Sequence, residues 1–232
     1  MHHKLKFAIA TAGAVVGLTA LHANPAQAAV IDFEEFDHGE VVTGVMTKSA
    51  TLGVFSQRNV NQNFPNAGEP RDLMIFDTDC GPGVNCSADP DLNFGGQFGK
   101  ALIISFDNNS AIPNDSQIGG TITFDFKMPV IFKGFNLLDD EEESTTVSLF
   151  NGDTLIESIG GIFGPGDNSA IFVDGFTTAP VTRVEIDLPG SGAIDNITYD
   201  PVPEPLTILG STMALGFGAL FKKQQSKKQK KN

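Results

Sequence analysis

From Thr121 to Phe126 the chain alternates between apolar Ile122, Phe124 and Phe126 and polar Thr121, Thr123 and Asp125. A repeat of two residues sends successive side chains to opposite faces of an extended strand, one for a core and one for water. Val184, Ile186 and Leu188 alternate with Arg183, Glu185 and Asp187 in the same way. Shorter runs of β-branched and aromatic residues predict further strands at Ile31–Phe33, Thr51–Ser56, Leu73–Phe76, Ala101–Phe106, Val130–Leu138, Thr145–Phe150, Thr154–Ile159, Ala170–Val173 and Gly192–Tyr199. Gly, Pro, Asn and Asp punctuate them. Asn151-Gly152 suits a tight hairpin, because both central positions of the favoured turn need positive φ. Between the chain ends no segment carries a helical period. The pattern predicts an all-β fold, an antiparallel jelly-roll-like β-sandwich, with the nineteen phenylalanines filling much of its core.

The two ends break this pattern. Lys4 and Lys6 precede an apolar run from Phe7 to Leu21, and Ala26-Gln27-Ala28 supplies the small residues a signal peptidase reads. Residues 1–28 therefore read as a signal peptide, an N-terminal apolar helix cut after Ala28. At the other end Val202-Pro203-Glu204-Pro205 leads into Leu206–Phe221, sixteen uncharged residues, and then Lys222, Lys223, Lys227, Lys228, Lys230 and Lys231. A helix of that length covers about 24 Å at roughly 1.5 Å per residue, slightly less than the approximately 30 Å hydrocarbon core. The lysines resist crossing a bilayer and are drawn to its anionic inner face, so this C-terminal transmembrane helix keeps its end cytoplasmic.

Motif, span and basic cluster, in that order, resemble the PEP-CTERM sorting signal of Gram-negative and cyanobacterial surface proteins. The resemblance covers about thirty residues. It implies recognition by an exosortase-type membrane protease and cleavage near Pro203, Glu204 and Pro205. It further implies transient anchorage in the inner membrane, then transfer to the cell surface or extracellular polymer. A plain single-pass anchor predicts the same topology without processing. The expected organisation is a signal peptide (1–28), a β-sandwich domain (29–200) and a sorting tail (201–232).

Charge sharpens the division. Between Val30 and Asp200 there are seven Lys and Arg against 27 Asp and Glu, a net charge of −20. Affinity for phosphate backbones comes from clustered Lys and Arg, so nucleic acid is excluded as a partner. Calcium and other cationic partners are favoured; simple solubility is the plainer reason for the acidity.

Cys80 and Cys86 flank a Gly- and Pro-rich stretch, and two cysteines in an exported chain are expected to pair. So short a ring would shape its loop more than stabilise the fold. Asp77, Asp79, Asp89 and Asp91 around it offer the oxygens a hard cation takes, although neither half matches an EF-hand; solvated turn residues are the alternative. The run Asp139-Asp140-Glu141-Glu142-Glu143 reads as a solvated loop between strands.

In the last strand Asp195 shares a face with Ile197 and Tyr199, and a buried carboxylate there would need a partner. This strand and the opening Ile31-Asp32-Phe33-Glu34 resemble the edges of jelly-roll carbohydrate-binding modules, in which a structural calcium links first and last strands. The resemblance offers Asp195, with Asp32 or Glu34, as calcium ligands; a polar strand end satisfied by backbone amides is the alternative.

Most catalytic schemes lack their parts. His38 is the only histidine beyond the signal segment, placed in a turn expected to be mobile, and the chain has no tryptophan and one tyrosine, Tyr199. Histidine-dependent nucleophilic triads and zinc hydrolysis are therefore disfavoured. Two classes of function remain. The first is a non-enzymatic surface or matrix module binding extracellular polysaccharide or calcium. The second is a glycan hydrolase using paired carboxylates.

Overall fold

The computed structural model describes residues 28–46, 51–57, 71–141, 145–164 and 166–202. The expected signal segment before Ala28, the Pro203-Glu204-Pro205 motif, the apolar span and the lysine cluster lie outside them. Among the described residues every regular element is a strand, and every strand pairing is antiparallel. The strands are β1 (Ala29–Ile31), β2 (Gly44–Met46), β3 (Thr51–Gln57), β4 (Leu73–Asp77), β5 (Lys100–Ile104) and β6 (Gly120–Leu138). They continue with β7 (Thr145–Asn151), β8 (Thr154–Ile162), β9 (Ala170–Val173), β10 (Val181–Leu188) and β11 (Ala193–Pro201). The all-β sandwich expected from the alternation is present, and only β2 was not foreseen.

One correction concerns β6. The sequence pattern suggests two strands, Thr121–Phe126 and Val130–Leu138, and Pro129 between them cannot donate to a ladder. The chain instead runs through as one strand of 19 residues. The interruption survives as an irregularity: the pairing with β10 slips between Val181↔Val130 and Arg183↔Asp125, and Pro129 sits in the slipped segment. On its N-terminal side β6 pairs with β3 and β10; on its C-terminal side it pairs with β11 and β9. The two layers are therefore one continuous hydrogen-bonded sheet, ordered β4-β5-β11-β6-β10-β7-β8 along its main path.

The main core gathers Ile122, Phe124, Val147, Leu149, Val184 and Ile186 from one half with Ile75, Leu102, Ile194, Ile197 and Tyr199 from the other. Phe126 and Tyr199 meet edge to face across it, with centroids 5.1 Å apart. Such burial is the dominant favourable term in folding.

A second cluster lies on the opposite side of β4, β5 and the Ala193 end of β11. Met74, Phe76, Ala101, Ile103 and Ala193 pack there with Leu138, against Leu92, Phe94, Phe98, Cys80 and Cys86. The cover is the loop between β4 and β5, pinned by the predicted Cys80–Cys86 disulfide, whose Cα atoms are 5.7 Å apart. His38 is part of this fastening rather than of a mobile turn. Its Nδ1 accepts from the Asp77 amide at 2.9 Å, its Nε2 faces the Asn85 carbonyl at 3.3 Å, and its ring meets Phe76 edge-on. An acceptor Nδ1 places a ring proton on Nε2, so the imidazole bridges the Asp77 amide and the Asn85 carbonyl.

Candidate functional site

Three places on the sandwich concentrate chemistry. The first joins the ends of the domain, as the sequence anticipated. β1 pairs with β11 through Ile31↔Ile197, so the chain leaving β1 at Asp32 passes beside Asn196 and Asp195. Asn196 has φ +52° and lies where the register of β11 against β6 shifts. A short amide side chain tolerates that left-handed conformation.

Asp195 is fully buried. Its Oδ2 accepts from Asn196 Nδ2 at 2.6 Å, while Oδ1 is buried with no hydrogen-bond partner. Burial first, then the negative charges of Glu34 and Asp32, push its carboxyl up to about 8. The charges of Glu34 and Asp32 reach Asp195, but among the described residues the oxygens of these three carboxylates do not all lie within 4.8 Å of one another. Glu34 is engaged by its own neighbours: its Oε1 accepts the Lys100 amide at 2.9 Å and lies against Gly99, where a Cβ would sit 1.9 Å from that oxygen. Asp32 is exposed, and its Oδ1 accepts from the Glu34 amide at 3.4 Å.

The second place also lies at the Ala193 end of β11, beside Gly192 and the end of β6, and was only half legible. Of the four aspartates around the disulfide loop, the structure separates Asp77 and Asp79 from Asp89 and Asp91. Asp77 caps its own turn, accepting from the Asp79 amide at 3.0 Å. Asp89 and Asp91 instead meet Asp139, with carboxylate oxygens of all three within 4.8 Å of one another. A second trio, sharing Asp91, adds Glu141 and Asp167.

The acidic run after β6 is therefore not simply a solvated loop. Glu141 is exposed, but Asp139 is only 3% exposed and Asp140 is fully buried. Asp139 turns inward through a φ of +53° and accepts the Asn168 amide at 2.6 Å. Asp140 accepts from the Thr145 hydroxyl at 2.8 Å. Asp115 completes the junction: its amide donates to Asp89 Oδ2 at 3.1 Å, and its own Oδ2 accepts the Gly192 amide.

Burial, followed by the charge of Asp115, pushes Asp89 up to about 9, and burial pushes Asp139 up to about 7. A hydrogen bond from Asp89 holds Asp91 below the usual carboxylate range. With no ion bound, Asp89 is thus a neutral acid donating to ionised Asp91. Being 3% exposed, it does not present that proton to a polymer in solvent.

The third place has no acidic signature. A cleft of about 400 Å³ opens beside the other end of β11, lined by Phe132, Lys133, Phe172, Asp174, Phe176, Thr177, Thr178 and Thr198 among others. Phe172, on β9, is 51% exposed. Its ring lies over Gly134 of β6, where a Cβ would come within 2.9 Å of the ring and 2.2 Å of the Val173 carbonyl. Glycine at that point lets β9 approach and lays the phenylalanine across the strand. Phe132 and Phe176 pack at a tilt, with centroids 4.9 Å apart, to form the apolar floor, and Lys133 pairs with Asp200 at 2.9 Å. An aromatic residue on the outward face of the Ala170–Val173 strand was the one available sequence signal for this cleft.

No protein-family model matches this chain, and no curated protein matches it. Solved structures do. The lectin binding domain of Lectinolysin, solved in complex with Lewis b, is 11% identical over 64% of this chain and 99% of that one, with a TM-score of 0.31. A family 29 carbohydrate-binding module is 12% identical over 67% of this chain and 97% of that one, with a TM-score of 0.28. Likeness at this level transfers neither a ligand nor a residue role, so the reading below rests on this chain's own geometry.

Proposed function

We propose that the chain is an exported, non-catalytic surface module that binds neutral extracellular polysaccharide in the cleft beneath Phe172. The exposed Phe172 ring above an otherwise polar-rimmed cleft carries this reading. A pyranose offers an apolar C–H face that packs on an aromatic ring and a rim of hydroxyls. Asp174, Thr177 and Thr178 supply polar groups for that rim. The net charge of −20 between Val30 and Asp200, with Lys133 already paired, favours a neutral polymer over an acidic one. Asp174 is the one carboxylate lining the cleft, whereas hydrolysis by a carboxylate pair takes two.

Calcium at Asp195 belongs to the same proposal, with Asp32 and Glu34 as the further ligands. The buried Asp195 Oδ1 without a partner supports it, since a carboxylate so placed suits a hard cation. Export through the signal peptide, and sorting at Pro203-Glu204-Pro205 by an exosortase-like protease, deliver the domain to the polymer.

The test is electrophoresis through gels containing neutral glucans or mannans. Wild type should be retarded, Phe172→Ala should bind at least about tenfold more weakly, and Phe163→Ala, an exposed phenylalanine outside the cleft lining, should behave as wild type. Equal retardation of both variants and wild type would remove the cleft from the account. Mass spectrometry of the surface protein checks the sorting step, which predicts that peptides beyond Pro205 are missing.

A further inference from the structure

In β8 a carboxylate stands where the strand pattern calls for an apolar side chain. β8 pairs with β7 through Val147↔Ile159 and Leu149↔Glu157, and paired residues share a face of the sheet. Val147 and Leu149 are fully buried in the main core, so Glu157 sits on the inner side of the last strand of the sheet path. An acid so placed costs free energy unless its oxygens are hydrogen-bonded. An inward charge on an edge strand also discourages edge-to-edge association, but that role needs no partner. Glu157 has one, remote in sequence: its Oε2 accepts the Thr177 amide at 2.7 Å. A carboxylate acceptor makes such a bond stronger than a neutral one.

Thr177 belongs to the segment 174–180 between β9 and β10, which forms no strand and so has no ladder to fix it. Asp174, Gly175, Phe176, Thr177 and Thr178 from this segment line the cleft under Phe172, whereas Glu157 does not. The β7–β8 hairpin also grips the place where the segment rejoins the sheet. Asn151 Nδ2 donates to the Pro180 carbonyl at 3.3 Å, and the Gly152 amide donates to the Thr182 hydroxyl at 2.8 Å. Those two contacts fix the entry to β10; the Glu157 bond reaches the part that lines the cleft. Thr177 Oγ1 in turn accepts the Ala179 amide at 3.2 Å, so the turn carrying Thr178 is tied to the same anchor.

We propose that Glu157 is a positioning residue for polysaccharide binding, holding Thr177 and Thr178 where they meet a sugar packed on Phe172. This deepens the cleft reading above and rests on it. A rim already held in place binds without the entropy loss of ordering it on the ligand, so releasing it weakens affinity although no contact to the sugar is removed.

The experiment compares the full-length chain in detergent with Glu157→Met, Glu157→Gln and Ser158→Ala, by hydrogen-exchange mass spectrometry and by electrophoresis through glucan or mannan gels. Met fills the same space on an apolar face but cannot accept the amide as a carboxylate does, whereas Gln keeps an acceptor oxygen. Ser158, exposed and bonded to Ser148, is the control on the same strand. Exchange across residues 174–179 should rise at least about tenfold in Glu157→Met, with β10 unchanged as the check on the fold. Affinity for the polymer should fall at least about threefold. Glu157→Gln should restore both, and Ser158→Ala should match wild type. Wild-type exchange in Glu157→Met, raised exchange with wild-type affinity, or a loss that Glu157→Gln does not restore overturns the inference. Weakened binding in Phe172→Ala beside unchanged binding in Glu157→Met sinks this inference alone. No retardation of wild type in any gel sinks the cleft reading and the binding role with it, while the exchange data still decide whether Glu157 holds the segment.

Discussion

The two ends of β11 solve the same problem differently. At its Ala193 end the strand is buried on both faces, because the disulfide loop lays Leu92, Phe94 and Phe98 over the outer side of the sheet. At its Pro201 end only the inner face is covered, and the outer side opens into the cleft under Phe172. The covered end traps carboxylates that solvent can no longer screen; the open end keeps an aromatic ring wet. What a loop covers becomes an electrostatic problem needing a cation or a proton, and what it leaves open becomes a surface for a ligand.

The largest expected effect breaks the comparison through pH. Asp89, Asp139 and Asp195 have folded values near 9, 7 and 8, raised by burial from an ordinary 3.8. Between the ordinary and the raised values the folded state holds protons that the unfolded chain has released, so raising the pH favours unfolding. The stability from these acids is complete below about pH 4 and is lost as pH rises through 7 to 9. Calcium-free protein should lose about 10 °C or more in melting temperature between pH 5 and pH 9. A triple Asp→Asn variant should flatten the profile in differential scanning calorimetry; an unchanged slope would mean these acids are not buried as described.

Next in size, Leu92→Ala should cost about 2–5 kcal/mol in urea unfolding, since a fully buried side chain leaves a cavity under the loop. Hydrogen exchange should then rise around the disulfide loop and spare β10. Replacing both Cys80 and Cys86 by Ala should cost about 2 kcal/mol, a modest effect for a ring with a sequence separation of 6. At the open end, Gly134→Ala should cost about 1–3 kcal/mol by overpacking against β9 and should weaken polysaccharide binding by tilting Phe172. Smallest of all, Arg183→Met should change stability by less than about 1 kcal/mol. Its 2.7 Å pair with Asp125 is more than a third exposed and screened by water.

Part of this architecture is legible in the amino-acid pattern alone. Alternation at Ile122, Phe124 and Phe126 set the inward face of β6, but the same reasoning put Asp195 with Ile197 and Tyr199, whereas the register shift at Asn196 leaves Ile194 on their face and Asp195 buried on the opposite one with Ala193. The β7–β8 hairpin comes at the expected place but one residue on: Asn151 pairs with Thr154, so Gly152 and Asp153 are the central pair and Gly152 alone has positive φ. The acidic run misled, because five adjacent acids look like a solvated loop whether or not a neighbour folds over two of them. Asp139 is buried by the Asn168 turn and the disulfide loop, both distant in sequence. Phe172 was an ordinary strand residue until Gly134, 38 positions earlier, placed its ring across β6.

The sequence by itself determined which residues could share a face, where the chain could turn, that the cysteines would close a loop, and that the charge was overwhelmingly negative. These properties are local or additive, so reading along the chain recovers them. Only the tertiary structure decided which carboxylates meet, which lose their water, and that two predicted strands are one β6 joining both layers. Burial and convergence depend on contacts between segments far apart in sequence, and no local pattern encodes a distance between them.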